Sequence, residues 1–208
     1  MDNNVNRGII EVICGPMFAG KTEELIRRVK RLLFAKKNVL VFKPRIDSRY
    51  SEAEIVSHAN SRINSIVIDK STDILDYMNP EIDAVVIDEI QFLGKEVLNI
   101  VGILADNGKR IICAGLDLDF RGEPFGIMPN LLAMAEKVTK LTAICNKCGN
   151  DATRTQRFIN GIPSSYDDPL ILVGAVEAYE ARCRFCHDVI NKPKVRLWNI
   201  WWRLIKKL

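Results

Sequence analysis

The chain has 208 residues, of which 48% are hydrophobic and 27% charged, with a formal net charge of +4. This composition is typical of a globular protein and excludes wholesale disorder, and no apolar run approaches the roughly 18 residues of a membrane span. The start of the chain has neither the basic n-region nor the apolar h-region of a signal peptide, so we expect a cytoplasmic protein.

Short apolar runs alternate with amphipathic segments through the first 120 residues. In 22–37 the apolar residues recur at helical spacing, with Glu24 and Arg28 as an i,i+4 pair. Apolar runs of five or six residues between helices predict a parallel sheet covered on both faces. The predicted strands are 8–14, 38–44, 84–93 and 110–120, the predicted helices are 22–37 and 95–109, and 65–78 reads as a strand and then a helix capped by Ser71 or Thr72.

The character of the sequence changes after residue 140, where glycine, proline and serine become frequent and no long helix is predicted. We therefore predict three parts: an α/β core at 1–140, a small lobe at 141–191, and a tail at 192–208. The tail holds six basic residues, no acidic residue and all three tryptophans, which leaves a net charge of −2 for the rest. Its composition suits a membrane surface or an acidic partner, but docking within the protein or disorder fits equally well.

The segment 15–22, GPMFAGKT, fits the phosphate-binding pattern G-x-x-x-x-G-K-[ST] between a predicted strand and a predicted helix. In such a loop the backbone N–H groups and the helix N-terminus hold the phosphates of a nucleotide. The lysine would reach the β- and γ-phosphates, and the threonine hydroxyl would hold Mg²⁺. The predicted ATP-binding loop consists of Gly15, Pro16, Met17, Phe18, Ala19, Gly20, Lys21 and Thr22.

Two acids follow the apolar run that begins at residue 84. Asp88, at the carboxyl end of the predicted strand, would bind the Mg²⁺ that accompanies ATP, directly or through water. Glu89 would face the γ-phosphate, where a carboxylate either orients water or accepts a proton. On their own these acids would indicate the start of a solvated turn. Because the chain also carries a phosphate loop, a role in binding the metal and the phosphates is favoured instead. The residues leave open whether the acceptor is water or an alcohol.

Four of the six cysteines form two C-x2-C pairs, which are separated by 34 residues. In a reducing cytosol this pattern indicates a structural Zn²⁺ with four thiolate ligands and no open position for catalysis. His187 could replace Cys186 as a zinc ligand, although a histidine in this position more typically lies outside the metal shell. Cys14 and Cys113 lie in apolar runs and are expected to be buried. The predicted zinc ligands are Cys145, Cys148, Cys183 and Cys186.

Several motifs in order make the chain similar to the cellular-type (class II) thymidine kinase family. They are GPMFAGKT, KPRIDSRY, IDEIQF, GLDLDFRGEPFG, the two C-x2-C pairs and ILVGAVEAYEARC, and they cover nearly all of the chain except its ends. The resemblance implies transfer of the ATP γ-phosphoryl group to the 5′-hydroxyl of thymidine, giving dTMP for deoxynucleoside salvage. It also implies a RecA-like core, a zinc lobe with a lasso-like loop over the nucleoside, and a homotetramer.

The resemblance assigns roles to single positions. Glu89 resembles the general base that removes the proton of the alcohol. Asp47 and Arg49 resemble residues beside the metal and phosphates, although without the resemblance they would read as a surface ion pair. Gln91 is expected to belong to the ATP-binding residues and to support the catalytic strand. In the phosphate loop, Ala19 occupies a position where the family commonly has serine. The implied nucleoside contacts are Met17, Leu116, Phe120, Phe125, Leu170, Leu172, Gly174 and Tyr179, with core packing an equal alternative for Phe125.

Two other classes of function share some of these features. A nucleic-acid-stimulated ATPase would explain DEIQ and the zinc pattern, but the chain shows no second RecA-like half and its body is slightly acidic. A regulatory nucleotide switch would explain the phosphate loop, but it does not need the Asp-Glu pair beside an aromatic-lined lobe. We therefore expect ATP and thymidine as partners, no stable nucleic-acid partner and no membrane span.

Overall fold

The computed structural model describes residues 8–45, 54–56, 62–171 and 177–193. These residues form a mixed α/β core followed by a small β lobe, which confirms the predicted fold class. None of the helices in the described ranges has the length and hydropathy to cross a lipid bilayer. The core elements are β1 (Ile9–Cys14), α1 (Lys21–Phe34), β2 (Val39–Pro44), β3 (Glu54–Val56), β4 (Arg62–Asn64), β5 (Ile66–Ile68), α2 (Asp73–Asp76), β6 (Ala84–Ile87), a 3-10 turn (Ile90–Phe92), α3 (Glu96–Asp106), β7 (Arg110–Gly115), α4 (Met128–Met134) and β8 (Lys137–Lys140).

Six parallel strands form the central sheet in the order β5-β2-β6-β7-β1-β8. In the register of this sheet Cys14 lies beside Gly115, and Ile87 lies beside Cys113. The carboxyl ends of β1, β6 and β7 therefore meet at one edge, where open α/β sheets bind their ligands. The phosphate loop follows β1 and the acidic pair follows β6, so both motifs reach this edge.

Helices cover both faces of the sheet, as the short apolar strands predict. Leu25, Ile26 and Val29 of α1 pack against one face of the sheet. Helices α3 and α4 pack against the other face, through side chains that include Val101 and Leu131. Two apolar layers thus exclude water from β1, β6 and β7, whose side chains are almost all buried, and this burial is the main stabilising contribution to the core.

The strands are shorter than the apolar runs predict. The run 84–93 is extended only to Ile87, because Glu89 has a left-handed backbone and a 3-10 turn follows it. Likewise β7 ends at Gly115, and the residues after it form turns. Helix α4 and strand β8 were not predicted, since β8 (KVTK) is polar and mostly exposed and forms an outer strand of the sheet.

The helix after β5 has one of the two predicted residues at its N-cap, but without the hydrogen bond that such a residue usually makes. Thr72 occupies the N-cap position, but its side chain makes no capping hydrogen bond. Instead the carboxylate of Asp73 accepts hydrogen bonds from the backbone N–H groups of Asp69 and Lys70, at 3.0 and 3.1 Å. A carboxylate in the first turn therefore organises this helix start from inside the helix.

The lobe after the core is built from short antiparallel strands around a small apolar cluster. It contacts the phosphate loop directly, because the Met17 N–H donates to the Thr155 hydroxyl at 3.0 Å and Ala19 packs against the cluster. The division of the chain near residue 141 stays a prediction. The lobe strands are β9 (Ala143–Ile144), β10 (Asp151–Ala152), β11 (Arg154–Ile159), β12 (Ile162–Pro163) and β13 (Glu177–Arg182).

A buried ion-pair network ties α1 to the strands β1, β7 and β8. The Glu11 carboxylate on β1 is 1% exposed and accepts from Arg28 Nη1 at 2.6 Å and from Arg110 Nε at 2.7 Å. Arg28 also contacts Glu24 at 2.8 Å, which confirms the predicted i,i+4 pair, and the Thr139 hydroxyl at 2.8 Å. The network satisfies a carboxylate that would otherwise be unstable in the core.

We expect Glu11→Ala to lower the free energy of unfolding by about 3–5 kcal/mol, because it leaves the buried Arg28 guanidinium without its main counter-charge. Urea-induced unfolding followed by circular dichroism measures the change. As a matched control, Arg27→Ala removes an exposed partner of Glu24 and should change the unfolding midpoint little. Equal midpoints for the two variants would contradict a stabilising role for the Glu11 network.

Candidate active site and cysteine cluster

The phosphate loop between β1 and α1 depends on backbone conformations that glycine supplies. Gly15 has φ of 145°, and a Cβ built there would lie 2.4 Å from the carbonyl oxygen of Leu141. Gly20, at the N-cap of α1, has φ of 79°. Both conformations are unfavourable for other residues. The loop therefore leads directly into a helix N-terminus, whose free N–H groups favour bound anions.

Lys21, the first residue of α1, is held inside this loop. Its side chain is buried, and Nζ donates to the carbonyl oxygen of Pro16 at 2.9 Å. Burial lowers the pKa of the Lys21 ammonium, whereas the charges of Glu89, Asp88 and Asp117 raise it. The structure thus brings the predicted phosphate-binding lysine close to both predicted acids, together with a third carboxylate.

Asp88 lies just beyond β6 and is buried. Its backbone N–H donates to the carbonyl of Phe42 at 2.9 Å, and its Oδ1 accepts from the Glu89 N–H at 3.0 Å. Burial and then the charge of Glu89 raise the pKa of the Asp88 carboxyl to about 7. The Asp88 carboxylate and the Thr22 hydroxyl offer the hard oxygen donors that Mg²⁺ prefers. The chemistry of these donors therefore fits a divalent cation.

Glu89 has the left-handed backbone conformation, with φ of 50°. This conformation is uncommon for residues other than glycine and clusters at functional sites. Gln91 Nε2 donates to Glu89 Oε2 at 2.5 Å, and Gln91 Oε1 accepts from the Leu116 N–H at 3.1 Å. The buried Gln91 amide thus connects the Glu89 carboxylate to the end of β7.

The predicted aromatic contacts of the nucleoside are mostly inside the protein. Phe125 is buried and packs edge-to-face against Phe92, with ring centroids 5.5 Å apart. Phe120 is also buried, and the guanidinium carbon of Arg157 lies 3.6 Å from its ring centroid. Core packing therefore accounts for much of the surface of both rings. By contrast Leu170 is 41% exposed.

The other predicted site residues fall into two groups. Leu116 and Tyr179 are partly buried, and Tyr179 lies on β13 opposite Arg157. The second group lies outside the described residues. It comprises Asp47, Arg49, Leu172, Gly174 and the tail from 194 to 208.

Two polar residues near the phosphate loop were missed in the sequence. Asp117 is buried at the edge where β7 ends, and Lys140 lies 2.8 Å from its Oδ2. Its Oδ1 is buried and makes no hydrogen bond within the described part of the chain. Thr155 binds the loop from the lobe. Asp117 is an acid inside the apolar run 110–120, two residues beyond the end of β7 at Gly115, and this was a usable signal, whereas the Thr155 contact had none.

The two C-x2-C pairs come together in the lobe. The four sulfur atoms of Cys145, Cys148, Cys183 and Cys186 all lie within 4.8 Å of one another, and the cluster can hold a metal ion. Cys148 and Cys183 have their sulfur atoms 3.7 Å apart, close to the edge of about 3.8 Å of a tetrahedral zinc–thiolate centre. All four cysteines are free thiols, so the spacing fits a metal cage and no disulfide.

The surroundings of Cys145 favour its thiolate form. Burial raises the pKa of the Cys145 thiol, but backbone N–H groups of Cys183 and of 147–148 outweigh burial and lower the pKa to about 6. His187 points elsewhere, because its Nε2 lies 2.9 Å from the carbonyl oxygen of Phe120. The cluster therefore has four sulfur donors without the histidine.

The fold and the site combine a loop of the phosphate-binding pattern with an acidic pair at the carboxyl edge of a parallel sheet. In a comparison with known protein families, residues 8–187 match the family described as thymidine kinase. Because this match spans most of the chain, the chain belongs to the thymidine kinase family and is a kinase.

We expect Cys183→Ser to reduce bound zinc from about one ion per chain towards zero, because three thiolates cannot complete the cage. Inductively coupled plasma mass spectrometry of the purified protein measures the metal content. Cys113→Ala, which removes a buried cysteine of β7 outside the cluster, should retain the metal. A full complement of zinc in Cys183→Ser would contradict the four-cysteine cage.

Proposed function

We propose that this kinase transfers the γ-phosphoryl group of ATP to the 5′-hydroxyl of thymidine, giving dTMP and ADP. Membership of the thymidine kinase family supports the substrate class. The position of Glu89 carries the proposal for the reaction, since a carboxylate is held beside the phosphate loop in a conformation that local preference disfavours.

Glu89 is the proposed general base. A primary alcohol is a weak nucleophile, and a carboxylate within hydrogen-bond reach accepts its proton as the bond to phosphorus forms. The Gln91 amide fixes one carboxylate oxygen and leaves the other, Oε1, available for the hydroxyl of the substrate. Gln91 thus orients the base, and Glu89 receives the proton.

The phosphate loop holds the donor nucleotide. Backbone N–H groups of 15–22 and the N-terminus of α1 bind the phosphates, and Lys21 neutralises the charge on the β- and γ-phosphates. Thr22 and Asp88 would hold the metal of the ATP complex. When bound, Mg²⁺ stabilises the negative charge on the transferring phosphoryl group. Gln91 supports this site through its hydrogen bonds with the Glu89 carboxylate and the Leu116 N–H.

Thymidine is proposed to lie between the carboxyl edge of the sheet and the lobe. The proposed lining combines Met17 of the phosphate loop, Leu116 at the end of β7 and Leu170 of the lobe. Phe120 and Phe125 of the turn 117–126 and Tyr179 of β13 complete it. Asp47, Arg49, Leu172 and Gly174 keep their proposed roles beside the phosphates and the nucleoside. The four cysteines are proposed to hold a structural Zn²⁺ that stabilises the lobe, with no part in the chemical step.

Further features of the proposal rest on the resemblance to class II thymidine kinases. The product would enter deoxynucleoside salvage and so supply precursors for DNA synthesis. We also propose a homotetramer in the cytoplasm, with a core at 1–140, a lobe at 141–191 and a separate tail. No stable nucleic-acid partner is proposed, because the chain without its tail has a net charge of −2.

We expect Glu89→Gln to lower the turnover number for thymidine by about 10²–10⁴-fold, because an amide cannot accept the proton. The change keeps the size of the side chain, so the affinity for ATP should stay close to that of the unchanged protein. Transfer of radiolabelled γ-phosphate to thymidine measures the rate, and Glu96→Gln is the control on an exposed glutamate of α3.

The same assay separates the proposal from an ATPase that responds to nucleic acid. Each nucleoside, single-stranded DNA and a water-only sample are tested in parallel. Thymidine-dependent transfer that is lost in Glu89→Gln supports the kinase. ATP hydrolysis stimulated by DNA, with no transfer to thymidine, would contradict it.

A further inference from the structure

Arg121 joins two loops that are distant in the sequence. It lies in the turn 117–126 after β7, and it donates from Nε to the Tyr166 carbonyl at 2.7 Å and from Nη2 to the Asp168 carbonyl at 2.6 Å. Its guanidinium carbon also lies 5.1 Å from the Phe120 ring centroid and 5.2 Å from that of Tyr166. One side chain thus fixes two carbonyl groups and contacts two aromatic rings.

A second arginine holds the same segment from the lobe. Arg157 of β11 is fully buried, and its Nη1 donates to the carbonyls of Pro169 and Leu170 at 2.8 and 3.2 Å. Its Nε donates to the hydroxyl of Ser164 at 2.9 Å. Because its guanidinium also lies against Phe120, both arginines contact the same ring.

The turn that carries Arg121 is itself fixed by hydrogen bonds. Asp119 Oδ1 accepts from the backbone N–H groups of Arg121 and Glu123, at 2.9 and 3.0 Å. The Tyr166 hydroxyl donates to the Glu123 carboxylate at 3.0 Å, and this contact raises the pKa of Tyr166. The turn 117–126 therefore holds the segment 166–170 through both a cation and a carboxylate.

These contacts replace a sheet for the segment. Residues 166–170 belong to no named strand, and carbonyl groups of such loops normally face water. Here the carbonyls of Tyr166, Asp168, Pro169 and Leu170 accept from arginine. Guanidinium groups are charged at every accessible pH and offer several donors in one plane, so they can fix several carbonyls and contact a ring at once.

We propose that Arg121 and Arg157 are positioning residues for the nucleoside, which set Phe120 and Leu170 in place by clamping the segment 166–170. This inference rests on the proposed function, because Phe120 and Leu170 belong to the proposed thymidine pocket. Neither arginine needs to touch the phosphates or the base. Removing the clamp should therefore weaken nucleoside binding and leave the chemical step and ATP binding largely intact.

Arg121 is the better position for a test, because Arg157 is fully buried and its loss would threaten folding. We expect Arg121→Met to raise the KM for thymidine about tenfold, since binding must then order the segment. The turnover number should change less than about twofold and the KM for ATP should not change. Arg121→Lys keeps the charge without the planar fork, and it should restore only part of the affinity. Arg31→Met, on the exposed side of α1, is the control.

Amide hydrogen exchange gives a readout that does not depend on activity. In Arg121→Met, exchange should become faster at Tyr166 and Asp168, whose N–H groups donate to Ile190 and Ser165, and should stay unchanged in β6 and β7. Unchanged exchange at these amides, or an unchanged KM for thymidine in an active enzyme, would overturn the inference alone. No transfer to thymidine by the unchanged protein would overturn the proposed function together with it.

Discussion

The rest of the site depends on the attraction between the buried Lys21 ammonium and three carboxylates close to it. Burial disfavours the charged lysine, and the acids Asp88, Glu89 and Asp117 compensate from the ends of neighbouring strands. This arrangement is possible only because parallel strands bring their carboxyl ends to one edge. Neither charge type would be stable there alone, so the fold and the site stabilise each other.

The lobe extends this constraint across the phosphate loop. Thr155 accepts a hydrogen bond from the loop at Met17, and Ala19 packs against the apolar cluster that contains Cys145 and Cys183. A metal in the cysteine cluster would therefore stabilise more than the lobe, because the free energy of metal binding in such a cage contributes to folding. The loop is held from β1 and α1 on one side and from β11 on the other.

The sequence was sufficient to predict five of the six strands of the sheet, the helices α1, α2 and α3, the phosphate loop and the cysteine cluster, because these depend on local periodicity or fixed spacing. It was insufficient for β8, whose polar residues carry no apolar pattern, and for the strand ends at Ile87 and Gly115. Contacts made through space were also beyond it. Thr155 and Arg121 act on residues more than 40 positions away, and no local pattern marks such a partner.

Gly115 connects the fold to the geometry of the acidic pair. A Cβ built there would lie 2.4 Å from Gln91 Oε1, so a side chain at this position would displace the amide. Gln91 could then no longer hold the Glu89 carboxylate, whose left-handed backbone carries strain of about 1–3 kcal/mol. The missing side chain at the end of β7, the buried amide and the strained glutamate are thus one constraint. It aims a carboxylate at the edge of the sheet where the phosphate loop begins.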